Sequence, residues 1–249
     1  MGRRALVIVA SLISVSCASG GAVVVDQVDP ADSGARAGLK PGDIVRSWHL
    51  TDEINGMPSD GVLDSPFAFD RLVLEIAPRA RVVLRGVRHG APFELALESE
   101  GGGIRVRPEL GESELESYRR TALLLDAGRV DEAISDARSM AADAAPERAT
   151  WYLVQAARAV AGAGEPEKAD QLFEAAAAKA TLTSEAKSVQ AMVLTSWGET
   201  CSERGRYDEA EEHYRRALTL RQEVAESSLA VAASLSNLAV IKAYQRDLA

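Results

Sequence analysis

The side chains best equipped for chemistry are three histidines, His49, His89 and His213, two cysteines, Cys17 and Cys201, and acidic pairs such as Glu211-Glu212. A histidine acting as a base needs a nucleophile within reach and an acid to orient it. His49, beside Trp48, has neither at a compatible spacing, His89 falls in a turn, and His213 lies in a helical repeat. The chain has no Gly-x-Ser-x-Gly elbow, no phosphate loop and no His-Glu-x-x-His zinc motif. Glu211-Glu212 reads as a solvated helix face, and Cys201 as a small residue on an apolar one. The expectation is a protein with no catalytic residue, cofactor or metal, which acts by binding.

Composition narrows what it binds. A net charge of −9 and a pI near 5.0, with no Lys/Arg cluster to displace counterions from phosphates, argue against a nucleic-acid partner. The 249 residues, 47% of them hydrophobic, allow one or two units with real cores.

Residues 1–19 differ from the rest. A basic Met1-Gly2-Arg3-Arg4 precedes an apolar run, Ala5 to Ser16, too short to span a bilayer, and then the small-residue stretch Ser16 to Gly20. This reads as a secretory signal and predicts an exported, periplasmic or cell-envelope protein. Cys17 stands where a bacterial lipoprotein signal places its lipidated cysteine, although Ser14 replaces the usual leucine; lipid there would attach the protein to a membrane. Cleavage near Ala18 with loss of Cys17, or a start inside a longer protein, are the other readings. Without Cys17, Cys201 has no disulfide partner.

The next elements are strands and tight turns. Ala22 to Val28 reads as a strand broken by Asp29-Pro30. Gly38 suits the left-handed end of a short helix, Pro41-Gly42 a tight turn, and Ile44-Val45 starts another strand. Trp48 to Gly61 is expected to be a turn-rich connection. A helix follows, capped by Asp64 or Ser65, with Pro66 first, a buried face of Phe69, Leu72, Val73 and Ile76, and Pro78 as its stop. Arg81 to Val87 and Pro92 to Leu97 are strand-like runs joined through Arg88-His89-Gly90.

The order from Gly21 to Val45, with Ala37-Gly38-Leu39-Lys40-Pro41-Gly42-Asp43-Ile44-Val45 at its end, resembles the central part of a bacterial PDZ domain. The resemblance implies a small α+β barrel over residues 20–110 that binds a peptide as an added strand beside its second helix. It departs from the family where a glycine loop should precede the first of these strands. Gly101-Gly102-Gly103-Ile104-Arg105-Val106 offers a replacement in a circularly permuted arrangement: a nest of N–H groups for an anionic terminus, with Arg105 or Arg107 adding charge. The groove would then comprise Gly102, Gly103, Ile104 and Arg105 with Phe69 and Leu72. A flexible glycine linker between domains is the other reading of this loop.

From Glu112 the chain turns to Ala, Leu, Glu and Arg with helical periodicity. Gly128 to Ala133, Gly164 to Ala169 and Gly205 to Ala210 are copies of one turn, their alanines offset by 36 and 41 positions. The third copy, with Leu194, Trp197, Gly198, Cys201, Gly205, Tyr207, Ala210, Tyr214 and Ala217, resembles a tetratricopeptide repeat. This implies an all-α superhelix of helical hairpins over residues 112–249: a weak first copy, two fuller ones and an unfinished fourth beginning at Ser228. A lone last helix would expose Leu and Ile, so either the chain continues past Ala249 or that helix docks on a partner.

The reading that follows is an exported scaffold or adaptor, binding peptide or protein segments through a PDZ-like groove and a tetratricopeptide concave surface. Two alternatives stay open. Arg221 to Ala225 and Ser234 to Ala239 are similar to repeat arrays that precede caspase-like CHAT peptidase domains, which would make this the regulatory half of a larger enzyme. A purely structural piece whose groove binds nothing is the other.

Overall fold

The computed structural model describes residues 21–52, 56, 58–97 and 103–247; the expected signal segment, Cys17 and Gly102 lie outside them. Residues 21–108 form a β lobe and residues 112–247 a helical lobe, joined through Glu109 to Gly111.

Six strands build one antiparallel sheet: β1 (Val23–Val28), β2 (Ile44–Leu50), β3 (Asp60–Val62), β4 (Val82–Arg88), β5 (Ala91–Leu97) and β6 (Ile104–Pro108), in the order β5-β4-β2-β1-β6 with β3 on β2. Among the described residues the last strand thus pairs with the first, and no strand lies on its other edge. The β4–β5 hairpin turns through His89 (φ 49°) and Gly90 (φ 81°), the pair of left-handed residues that matches the twist of a two-residue turn. Gly86 is required in β4, because a Cβ there would lie 2.1 Å from the Ile44 carbonyl oxygen.

Helix α1 (Ser33–Arg36) ends at Gly38 (φ 86°), and Gly42 (φ 91°) completes the turn into β2. Asp43, 1% exposed, holds this turn. It accepts from the Lys40 N–H at 2.8 Å and from the Arg88 guanidinium at 2.6 and 2.7 Å, while Arg88 also donates to the Gly38 carbonyl. Burial opposes the Asp43 charge, but these hydrogen bonds outweigh it and hold the carboxyl below its ordinary range.

One expectation is corrected here. Trp48 and His49 are not in a connection: β2 continues to Leu50, with Trp48, His49 and Leu50 opposite Leu84, Val83 and Val82 of β4. Pairing on both edges overrides the polar sequence that follows. Trp48 is buried and lies flat over Gly61, which admits no Cβ.

Helix α2 (Pro66–Arg71) starts as its sequence dictates: Ser65 Oγ accepts from the Ala68 N–H at 3.2 Å, and Pro66 needs no partner for its nitrogen. A π-helical turn, Leu72–Ile76, continues it. Phe69, Leu72 and Ile76 join Val23, Val25, Val45, Val82, Leu84 and Leu97 in the core of this lobe.

The helical lobe comprises α3 (Glu112–Asp126), α4 (Val130–Asp143), α5 (Pro146–Gly162), α6 (Pro166–Ala180), α7 (Ala186–Glu203), α8 (Tyr207–Val224) and α9 (Leu229–Asp247). Gly128, Gly164 and Gly205, all with positive φ, end α3, α5 and α7. After each, the next N–H reaches back to a carbonyl five residues earlier: Arg129 to Leu124, Glu165 to Val160, Arg206 to Cys201. Three equivalent turns give three antiparallel hairpins. Gly198 lets the Tyr214 ring close onto α7, where a Cβ would come within 2.8 Å of it. Tyr214 therefore packs inside its own hairpin rather than toward the next one. On α9, Ile241 is buried, while Leu235, Val240 and Tyr244 remain about half exposed.

Candidate functional site

The residues equipped for chemistry are dispersed. His49 is in β2, His89 is exposed in the hairpin turn, and His213 is buried in α8 against Trp197. Burial lowers the His213 pKa, chiefly by desolvation. Cys201 is 1% exposed, and burial pushes its thiol up to about 11, far from the thiolate a nucleophile needs. Among the described residues, no group of three His, Cys, Asp or Glu is placed to hold a metal, and no helix is long and apolar enough to cross a membrane.

What the fold does build is a cleft between the lobes. The stripe of α2 formed by Phe69, Leu72 and Ile76 faces the sheet, so the opposite stripe must face elsewhere. It faces the helical lobe. Phe67, 8% exposed, belongs to the core of that lobe together with Trp151, Val154 and Val193. Arg71 pairs with Glu185 at the start of α7. Glu75 accepts from the Leu229 and Ala230 N–H groups at 3.1 and 2.7 Å, and so caps the first turn of α9. Helix α2 and its π-turn thus lie across α5 and α7, the first helices of the second and third hairpins, and α9, which follows them; their common surface is called the inner face below.

Beside this contact a cavity of about 510 Å³ remains. One wall is β6 (Ile104, Arg105, Val106), the second is α2 (Pro66, Phe67, Asp70), and the third is the inner face, with Trp151, Val154, Gln155, Arg158 and Ala159 of α5 and Met192, Val193 and Ser196 of α7. Three successive residues of β6, the outermost described strand on this side of the sheet, line it together with the apolar side chains of Trp151, Val154 and Val193 and the charged groups Asp70, Arg105 and Arg158. Such a site can accept an extended chain by strand addition.

The sequence-predicted residues divide. Ile104 and Arg105 line the cleft. Phe69 and Leu72, each 1% exposed, do not: helical periodicity turns them into the sheet, and Phe67 and Asp70 take their place. Gly103 (φ 70°) is anchored by its carbonyl, which accepts from the Asp29 N–H at 2.8 Å. A Cβ on it would collide with Asp32 Oδ2, so a carboxylate sits against the end of the glycine loop, an unfavourable setting for an anionic terminus. Arg107 is already paired with Asp26 at 2.9 Å. Trp151, Val154 and Arg158 were not anticipated; the one signal in the sequence is Phe67, a large apolar side chain lying off the sheet-facing stripe.

Asp70 is exposed only toward the cleft, with protein closing around it. Its carboxyl is pushed up to about 6, chiefly by burial and next by Glu199 of α7, against the opposing pull of Arg158 of α5. Arg105 of β6 and Arg71 on its own helix are the other charges nearby. A raised carboxyl pKa supports the docked lobes fully below about pH 4 and loses that support as pH rises through about 6. Asp70→Asn is expected to remove this dependence, so that the protection of the α2 amides, relative to their intrinsic exchange rates, no longer falls between about pH 4 and pH 7. An unchanged pH profile in the variant would assign the dependence to another group.

Comparison with curated proteins gives no match. Residues 189–249, a span that begins in α7 and takes in α8 and α9, match the model of the tetratricopeptide repeat family, whose repeats bind protein partners.

Proposed function

We propose that this protein is an interaction scaffold that holds an extended peptide segment in the cleft between β6, α2 and the inner face. The observation that carries the proposal is that β6, the outermost described strand on its side of the sheet, lines a cavity of about 510 Å³ whose far wall belongs to the helical lobe. A PDZ-like identity for the β lobe is supported by its strand order, since a permuted domain needs its last strand beside its first and a loop ahead of it. On this reading the two expected binding surfaces are one. A ligand strand would touch both lobes together, instead of two sites gaining avidity through their separation.

The binding is direct, without chemistry on the ligand. Export to the cell envelope remains part of the proposal, supported by the basic and apolar start of the chain, and lipid on Cys17 would be seen as added mass on the mature N terminus.

The test is a pool of extended peptides, with free and with amidated C termini, presented to the full chain. Ala159→Trp fills the cleft from an exposed position on α5 and is expected to weaken any selected peptide by at least about tenfold, with both lobes still folded. Binding that ignores Ala159→Trp, or a pool that yields no binder, overturns the proposal. Amidation is expected to matter little, because the Asp32 carboxylate lies against Gly103, at the end of the loop where a terminal carboxylate would sit.

A further inference from the structure

Helix α2 with its π-turn carries two complete stripes. Phe69, Leu72, Val73 and Ile76 follow the i, i+3, i+4, i+7 pattern and pack on the sheet. Phe67, Asp70, Arg71, Leu74 and Glu75 follow the same pattern from another start and face α5, α7 and α9. A surface helix needs one apolar stripe to hold its place; a second face, here of mixed apolar and charged residues with partners on the other lobe, is what a helix shows when it lies in a groove.

The second stripe is anchored at each turn. Phe67 enters the core of the helical lobe, Arg71 meets Glu185, and Glu75 caps the first turn of α9. Yet the contact is incompletely packed. A cavity of about 510 Å³ flanks it on the β6 side and another of about 280 Å³ on the α9 side, the latter walled by Leu74, Met192 and Val224. The Arg71 and Glu185 side chains are each nearly half exposed and open clefts lie on both sides of the contact, so it is a small, partly solvated interface of the exchangeable kind found between domains.

We propose that the stripe Phe67–Glu75 is a resident ligand of the inner face, and that this face also accepts, in exchange for it, an amphipathic helix from a partner protein. The partner helix presents an aromatic residue, an acid–base pair three and four positions on, and an acid eight positions on. Its aromatic ring takes the Phe67 site, its basic residue meets Glu185, and its last acid caps α9. The β lobe then serves as a plug that weakens partner binding in proportion to the fraction of time it is docked. This goes beyond strand addition at β6, and either can hold without the other.

The experiment uses the full chain and a labelled synthetic peptide of residues 64–79. Phe67→Asp expels the plug while leaving the sheet-facing stripe intact. The peptide is expected to bind the Phe67→Asp chain at least about tenfold more tightly than the wild type, where the plug competes. A peptide that itself carries Phe67→Asp keeps its sheet-facing stripe and is expected to bind neither chain, which separates groove binding from general stickiness. Amide exchange in β4 and α7 reports whether both lobes of the variant remain folded. Should Phe67→Asp melt the β lobe, Arg71→Glu with Glu75→Arg breaks the same contact at less buried positions, and the same preference is expected. Equal affinity for closed and opened chains, no binding to the opened chain, or equal binding of the altered peptide would each overturn the proposal.

Discussion

Phe69→Ala is expected to cost the β lobe about 3–5 kcal/mol, the usual loss for truncating a fully buried aromatic side chain, and to leave the helical lobe folded. Phe69 is 1% exposed and packs with Val23, Val45, Val82 and Leu97, whereas no residue of the helical core is among its neighbours in that cluster. A small sheet with one helix over it has little stability to lose. Amide exchange should therefore accelerate through β1, β2 and β4 while α5 to α8 keep their protection. Peptide binding at the cleft should disappear with the lobe, since α2 forms one of its walls. Phe67→Ala, two residues away, is expected to do the reverse: protection in the sheet persists and docking weakens. If both substitutions unfold the same strands, α2 does not have two independent faces and the plug proposal loses its basis.

The second large effect lies in the helical lobe. Trp197 is stacked between Phe173 and His213, at ring separations of 5.5 and 4.0 Å, and so joins α6, α7 and α8. Its Nε1–H donates to Asp170 at 2.6 Å, and the other oxygen of Asp170 accepts from Arg206 at 2.6 Å. Trp197→Ala is expected to destabilise the array by about 3–5 kcal/mol, through the cavity and through the loss of a donor to Asp170. Trp197→Phe keeps an aromatic ring in the stack and loses the hydrogen bond and the smaller part of the packed volume, at about 1–2 kcal/mol. Denaturant unfolding followed by helical circular dichroism checks both. A Trp197→Phe cost as large as that of Trp197→Ala would show the Asp170 network, rather than packing, to be the dominant link.

Much of the local structure was legible because it depends on neighbours in sequence. Gly128, Gly164 and Gly205 mark hairpin turns since an αL residue is needed where a helix ends and doubles back. Arg88-His89-Gly90 marks a hairpin, and Ser65-Pro66 a helix start, for equally local reasons. Trp48-His49-Leu50 was misread because its strand character comes from pairing with β4, over thirty residues on, and not from its own turn-rich surroundings.

The site was less legible than the fold. Asp70, Arg71 and Glu75 look in sequence like the solvated face of a short helix, and their charges give no hint that they meet another lobe. Their partners, Arg158, Glu185, Glu199 and the backbone of Leu229 and Ala230, lie roughly 90 to 155 residues downstream, a separation no periodicity can reveal.

By itself the sequence determined a β-rich unit followed by helical hairpins, and the stripe of α2 that meets the sheet. Only the tertiary structure decided that β6 returns to pair with β1, that it lines a cleft, and that the helical lobe supplies the far wall. The physical reason is that turns, caps and amphipathic stripes are set by short-range sterics and hydrogen bonding, whereas the cleft exists through contacts between lobes. A second stripe on α2 is compatible with water or with a groove, and what settles it is the surface that α5, α7 and α9 bring against it.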